Sequence, residues 1–205
     1  MSDADLKVHL ERATAPGAAV DPVRALRRLA ERADEERLLD VAYTTVPSPL
    51  GDLLVARTAR GLVRIAYLEG GDRDLVLADL AGRLSPRVLE APGRLDDERR
   101  ELEEYFAGSR REFAVELDLS LAGPFAARVL DRTAAIPFGG MSTYGEVAAD
   151  IGHGRAARAV GNALGSNPIP IVVPCPRVVR SGGGMGGYTG GVHRKQRLLA
   201  IEHTD

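Results

Sequence analysis

The single cysteine of this 205-residue sequence, Cys175, sits in the stretch Ile169–Val179, which reads IPIVVPCPRVV. A thiol attacks an electrophile only as the thiolate, and at its ordinary pKa of ~8.5 it is mostly protonated at neutral pH. A reactive cysteine therefore needs a cation, a base or a helix N-terminus beside it. The sequence offers Arg177 two residues on, and Glu202 near the C-terminus as a group that could act as a base or orient one. The histidines are His9, His153, His193 and His203. Each reads first as a solvated imidazole. Of these, His193 is placed best to reach the thiol, because it follows the glycine-rich loop. The competing reading of Cys175 is a small hydrophobe packed after an apolar run. A lone cysteine forms no disulfide within the chain and cannot supply a thiolate-rich zinc site, so no metal is expected.

The elements that must hold these residues follow from periodicity. Met1–Val20 is polar and rich in Ala, Pro and Gly, and reads as a mobile arm. Asp21 and Pro22 are an N-cap and first-turn proline, and Val23, Leu26, Leu29 and Ala33 keep helical spacing to about Leu39. VAYTTV (Val41–Val46), DLLVART (Asp52–Thr58) and LVRIAYLE (Leu62–Glu69) are β-rich and separated by turn residues, which predicts an antiparallel meander. Helices are expected over Asp72–Leu84 and Leu95–Ala107, and a further strand over Glu112–Leu119. From Pro124 the pattern is helical: PFAARVLDRTAAI, then STYGEVAADI with Ser142 and Thr143 as cap candidates, then GRAARAVGNAL up to Gly165. Two short helices joined at Gly152–Gly154 fit a helix-turn-helix. RSGGGMGGYTGG is too rich in glycine for a regular element, and RKQRLLAIE closes the chain as a helix.

Composition excludes other classes. With 44% apolar and 27% charged residues the chain is neither disordered nor fibrous. No apolar run approaches the ~18 residues of a membrane span, and the N-terminus lacks the basic start and apolar core of a signal peptide. A cytoplasmic protein with no membrane partner is expected. The net charge of -2 is uneven: 18 Lys and Arg against 24 Asp and Glu up to Ser120 give -6, and 9 against 5 from Leu121 give +4. The C-terminal part is therefore the one suited to a polyanion. Lysine occurs only at Lys7 and Lys195, an arginine preference read as compositional.

The series TYGEVA, GRAARAVGNALGSNPIPIVVPC, RVV, GGYTGG and RK-x-x-LL-x-x-E, in this order and spacing, resembles the O6-alkylguanine-DNA alkyltransferases, a family of direct-reversal DNA repair proteins. The match is dense from Pro124 to Glu202 and weaker from Val41 to Leu119, where SPLG and RGLVRIAY carry it. The resemblance implies an α+β fold. It comprises an N-terminal extension (1–40), a small α/β, RNase H-like domain with antiparallel strands (41–120), and a helical, winged helix-turn-helix-like DNA-binding domain (121–205).

The resemblance also implies residue roles. The expected partner is double-stranded DNA containing alkylated guanine, bound through the minor groove by a monomer that needs no cofactor. Ala156, Ala157, Ala159, Gly161 and Ala163 would let the recognition helix approach the groove closely. Arg158 matches the intercalating arginine that fills the space of a flipped base. Tyr144 matches the tyrosine at the flipped nucleotide's phosphate, and Arg177 is grouped with the DNA and substrate contacts. Tyr188 matches the tyrosine that closes over the extruded base, and Thr189 stands where the family has Ser, whose backbone N–H meets O6. Asn167 matches the hinge asparagine. Cys175 would take the alkyl group from O6-alkylguanine or O4-alkylthymine after base flipping, in a single turnover.

One position departs from the family. After Pro-Cys the family reads His-Arg, and that His, oriented by a glutamate matching Glu202, deprotonates the thiol through water. This chain has Pro176, which carries neither a side-chain base nor a backbone N–H. General-base assistance is worth about 10²–10⁴ in rate. The alternatives are a lesion sensor that flips alkylguanine without transfer, or the same thiol acting on another electrophile.

Overall fold

The computed structural model describes Arg28, Arg32 and residues 38–203. The arm expected over Met1–Val20 and most of the helix expected over Asp21–Leu39 lie outside the described residues. Arg28 and Arg32 are helical and exposed, whereas Leu38 and Leu39 already lie outside any helix. Residues from Leu39 onward pack as one unit.

Alternating β-branched and apolar residues build the meander. Strands β1 (Val41–Val46), β2 (Leu53–Thr58) and β3 (Gly61–Tyr67) pair antiparallel in sequence order. A fourth strand, β4 (Val88–Glu90), joins β1 in parallel and gives the order β3-β2-β1-β4. Three residues after a proline show no period, so β4 is invisible in the sequence. Helix α1 (Arg73–Arg83) covers one face, where Val41, Tyr43, Leu54 and Ala56 pack with Leu80. The opposite face is buried too: Leu53 and Val55 are 0% exposed. On this side Tyr67, in register with Leu53, meets Tyr188 of the C-terminal half, and at the outer edge of β3 Ile65 N–H donates to Pro168 O at 2.8 Å. The sheet is thus directly tied to the loop that leads to Cys175.

The strand expected over Glu112–Leu119 is not formed. The segment touches β3 at a single bridge, Leu62 with Leu117. Its polar backbone is satisfied by side chains of helix α2 (Asp96–Phe106) and its flank: Glu101 accepts from Ala114 N–H, and Arg110 donates to Glu112 O. Two backbone bonds remain at the bridge, Leu62 N–H to Glu116 O and Asp118 N–H to Leu62 O, and side-chain partners serve Ala114 N–H and Glu112 O, where a ladder does not extend.

The C-terminal half contains α3 (Pro124–Ala134), β5 (Ser142–Thr143), α4 (Tyr144–Asp150), α5 (Ala157–Gly165), a 3₁₀ turn at Cys175–Arg177, β6 (Val178–Val179) and α6 (Val192–Glu202). Helices α3, α4 and α5 pack on one another as the expected helix-turn-helix with a supporting helix. α5 starts at Ala157 rather than at Gly154, because Gly152–Arg155 make the turn. β5 and β6 pair in parallel, Ser142 with Val178 and Thr143 with Val179. This short pairing sets the first residue of α4 beside the chain leaving the cysteine turn.

Candidate active site and nucleic-acid interface

The cysteine loop is shaped by its prolines and one asparagine. Asn167 is 3% exposed; its Oδ1 accepts from Ile169 N–H at 2.9 Å and its Nδ2 donates to Val173 O at 3.2 Å. Ile171 has φ 78°, a left-handed conformation uncommon for a β-branched residue, so the loop stores backbone strain. The chain then enters the 3₁₀ turn, whose first closing bond is Arg177 N–H to Pro174 O at 3.0 Å. Pro176 is second in that turn, where a backbone N–H has no intrahelical partner. The backbone therefore accepts proline without losing a bond.

The thiol itself is 5% exposed, and Asn167 Nδ2 donates to Sγ at 3.3 Å. Burial pushes the Cys175 pKa up to about 11. Three smaller effects favour the thiolate: the Asn167 bond, the charge of Lys195 and the cysteine's own backbone N–H. Lys195 is 0% exposed, and its ammonium donates to Val178 O at 2.7 Å and to Met185 O. Desolvation lowers the lysine's pKa, while a thiolate at Cys175 would raise it.

Glu202 does not face the thiol. Arg177 clamps it with Nε to Oε2 at 2.8 Å and Nη2 to Oε1 at 3.1 Å, and Tyr105 donates to Oε1 at 3.0 Å. Arg177 also donates to Ile136 O and lies 5.7 Å from the Phe138 ring centroid. At 6% exposure its guanidinium is committed to this buried pair, which corrects its grouping with the DNA and substrate contacts. The described histidines are occupied elsewhere or exposed. His153 Nδ1 pairs with Ile151 O, His203 Nδ1 pairs with Leu199 O, and His193 is exposed.

Along α5 lies an open cleft of ≈ 590 Å³; Cys175 does not line it but is near enough to act electrostatically on two residues that do, Tyr144 and Tyr188. Tyr144, Ala157, Arg158, Gly161, Tyr188 and Thr189 all line it, whereas Ala156, Ala159 and Ala163 of the expected groove-facing set do not. Tyr144 is the first residue of α4, behind a capping box: Thr143 Oγ1 accepts from Glu146 N–H, and Glu146 accepts from Thr143 N–H. Arg158 is exposed on α5, whereas Ala163 turns inward at 6% exposure and is removed from the groove-facing set. Gly186, with φ 69°, lets the loop pass against the Tyr144 hydroxyl. Thr189 Oγ1 donates to Gly165 O at 2.9 Å and pins the loop to the end of α5.

Sequence reasoning missed Lys195, Tyr67, Tyr105 and Arg194. Lys195 had a signal: with Leu198 and Glu202 it stands at i, i+3 and i+7, one face of α6, and all three are buried. Tyr67 and Arg194 had none, since their meeting depends on the sheet and α6 packing together.

Comparison with known proteins agrees with this geometry. A family model described as "6-O-methylguanine DNA methyltransferase, ribonuclease-like domain" matches residues 41–119, and one described as "6-O-methylguanine DNA methyltransferase, DNA binding domain" matches residues 124–204. A "Methylated-DNA--protein-cysteine methyltransferase" of Mycobacterium bovis is 40% identical over 162 residues, 79% of this chain and 92% of the relative. The constitutive protein of that name from Bacillus subtilis is 35% identical, covering 78% of this chain and 94% of its own length. Among solved structures, Mycobacterium tuberculosis OGT in complex with DNA superposes with a TM-score of 0.68 at 40% identity, over 78% of this chain and 92% of that one. The methyltransferase of Pyrococcus kodakaraensis gives 0.58 at 28% identity, over 80% and 99%. The two family models together span nearly all of the chain from residue 41 to 204, and the chain belongs to the 6-O-methylguanine DNA methyltransferase family.

Proposed function

We propose that the chain repairs alkylated DNA by single-turnover transfer of the alkyl group from guanine O6 to Cys175, giving S-alkylcysteine and restored guanine. The observation that carries this reading is the convergence of six expected contact residues on one cleft, two of which, Tyr144 and Tyr188, feel the charge of the buried Cys175. DNA binds as a duplex along α5 through its minor groove. Ala157 and Gly161 permit close approach, Arg158 fills the stack, and Tyr144 meets the backbone of the extruded nucleotide. Tyr188 and Thr189 receive the base. Residues 121–205 carry these contacts and residues 41–120 support them.

Without the family's histidine, activation of the thiol falls to electrostatics. The Lys195 ammonium and the Asn167 amide favour the thiolate against burial. The thiol gives its proton to water, the attack forms the S–C bond and breaks the O6–C bond, and guanine leaves neutral by taking one proton back from water, so that the protons balance. Glu202 serves the fold through Arg177 and Tyr105 rather than a proton relay. The test is a single-turnover incubation with a duplex containing O6-methylguanine. Loss of the lesion is expected, slowly, with wild-type protein and not with Cys175→Ala. Tight lesion binding with no loss in either would replace transfer by sensing.

A further inference from the structure

We propose that Tyr67, at the end of β3, is a positioning residue that holds Tyr188 in the cleft wall through a hydroxyl pair, so that the N-terminal sheet sets how the glycine-rich loop receives a base. This rests on the reading of Tyr188 as the residue that meets the extruded base.

The two hydroxyl oxygens lie 2.7 Å apart, across 121 residues of sequence, and the rings meet edge to face with centroids 6.3 Å apart. Tyr67 is itself fixed. The Arg194 guanidinium stands 4.4 Å over its ring. Arg194 is anchored on both sides of the contact, with Nε to Leu50 O at 3.1 Å, Nη1 to Gly190 O at 3.0 Å and Nη1 to Glu69 at 2.6 Å. The loop approaches so closely that a Cβ on Gly190 would lie 2.6 Å from the Tyr67 ring. Glycine is the residue that fits there.

This contact differs from the loop's other anchors. Thr189 and Lys195 hold the loop to the C-terminal half, whereas Tyr67 holds it to the sheet. Burial keeps both phenols protonated, with Tyr67 pushed up to about 12 and Tyr188 raised as well. A pair of neutral hydroxyls uses one O–H internally and leaves the other to donate. Either hydroxyl can be the donor, so the pair holds the Tyr188 ring at the cleft wall whichever way its proton lies. Removing the Tyr67 hydroxyl frees Tyr188 to rotate and weakens capture of the base, while the chemistry at Cys175 is untouched.

The test is the rate of transfer from an O6-methylguanine duplex under single turnover, measured against duplex concentration for the wild type, Tyr67→Phe, Tyr188→Phe and the double variant. Tyr67→Phe should raise the half-saturating concentration about fivefold, the worth of one hydrogen bond. Its limiting rate should stay within about twofold of the parent, and the double variant should be no worse than the poorer single variant. An unchanged half-saturating concentration, or additive losses, overturns the proposal. Amide hydrogen exchange of residues 186–190 in the DNA-free full chain supplies an arm independent of transfer. Tyr67→Phe should speed it about fivefold, with β1 and β2 unaffected. Should the wild type form no adduct, the transfer reading falls and exchange alone decides the latch: unchanged exchange overturns it.

Discussion

Burial raises the Cys175 thiol to about 11, and Lys195 is the buried cation that opposes this. Because the folded value lies above the unfolded ~8.5, the buried thiol stabilises the fold at neutral pH, and that contribution is lost as pH rises through about 11. Reactivity runs the other way. The thiolate fraction grows about tenfold per pH unit below the pKa, so the logarithm of the transfer rate should climb with a slope near one between pH 7 and 9. Lys195→Met removes the favourable charge and should slow transfer at pH 7.5 by about tenfold while keeping the slope, read by single-turnover kinetics on folded protein. A rate unchanged in Lys195→Met removes the lysine from the mechanism. Pro176→His should raise the rate by less than the full general-base factor of about 10²–10⁴, because Glu202 is already held by Arg177 and Tyr105. At this scale the sequence was uneven ground. Cys175 and Asn167 are legible because both belong to one continuous proline-rich loop. Arg177 was misread because its partners, Ile136 and Phe138, stand some 40 residues upstream, where no local pattern reaches.

Element boundaries decide whether the cleft has its walls. Tyr144 is aimed by the start of α4, which rests on the Thr143 cap and on the β5–β6 pairing. Thr143→Ala should cost about 1 kcal/mol of stability, checked by denaturant unfolding, with a parallel loss of lesion affinity. Arg158 is exposed on α5 and makes no such contribution to the fold. Arg158→Ala should therefore leave stability within about 0.5 kcal/mol while weakening binding to an alkylguanine duplex by about tenfold or more, read by titration. Wild-type affinity in that variant would refute its role in the stack. The meander, both helices of the helix-turn-helix and the last helix were legible because their periods are long enough to register. The three-residue β4 and the unformed strand at Glu112–Leu119 were not. The first is too short to show a period, and the second has strand-like residues whose backbone is claimed by Glu101 and Arg110.

Over the whole molecule, charge and connection divide the work. The excess of four positive charges from Leu121 onward lies in the half that carries the cleft, so DNA affinity should be modest and fall as salt is added. The edge strand β3 joins the sheet to the C-terminal half, with the Ile65–Pro168 backbone bond to the cysteine loop and the Tyr67–Tyr188 contact to the glycine-rich loop. That dependence of one half on the other was not readable in advance, because each contact joins residues about 100 or more positions apart. The central claim is that this buried thiol, without a neighbouring histidine, still accepts an alkyl group from DNA. Peptide mass spectrometry after prolonged incubation with excess O6-methylguanine duplex tests it most directly. One methyl group on the peptide carrying Cys175, no more than one per chain and matched by an equal amount of restored guanine, is the result expected. An unmodified Cys175 peptide in protein that still binds the lesion would contradict the account.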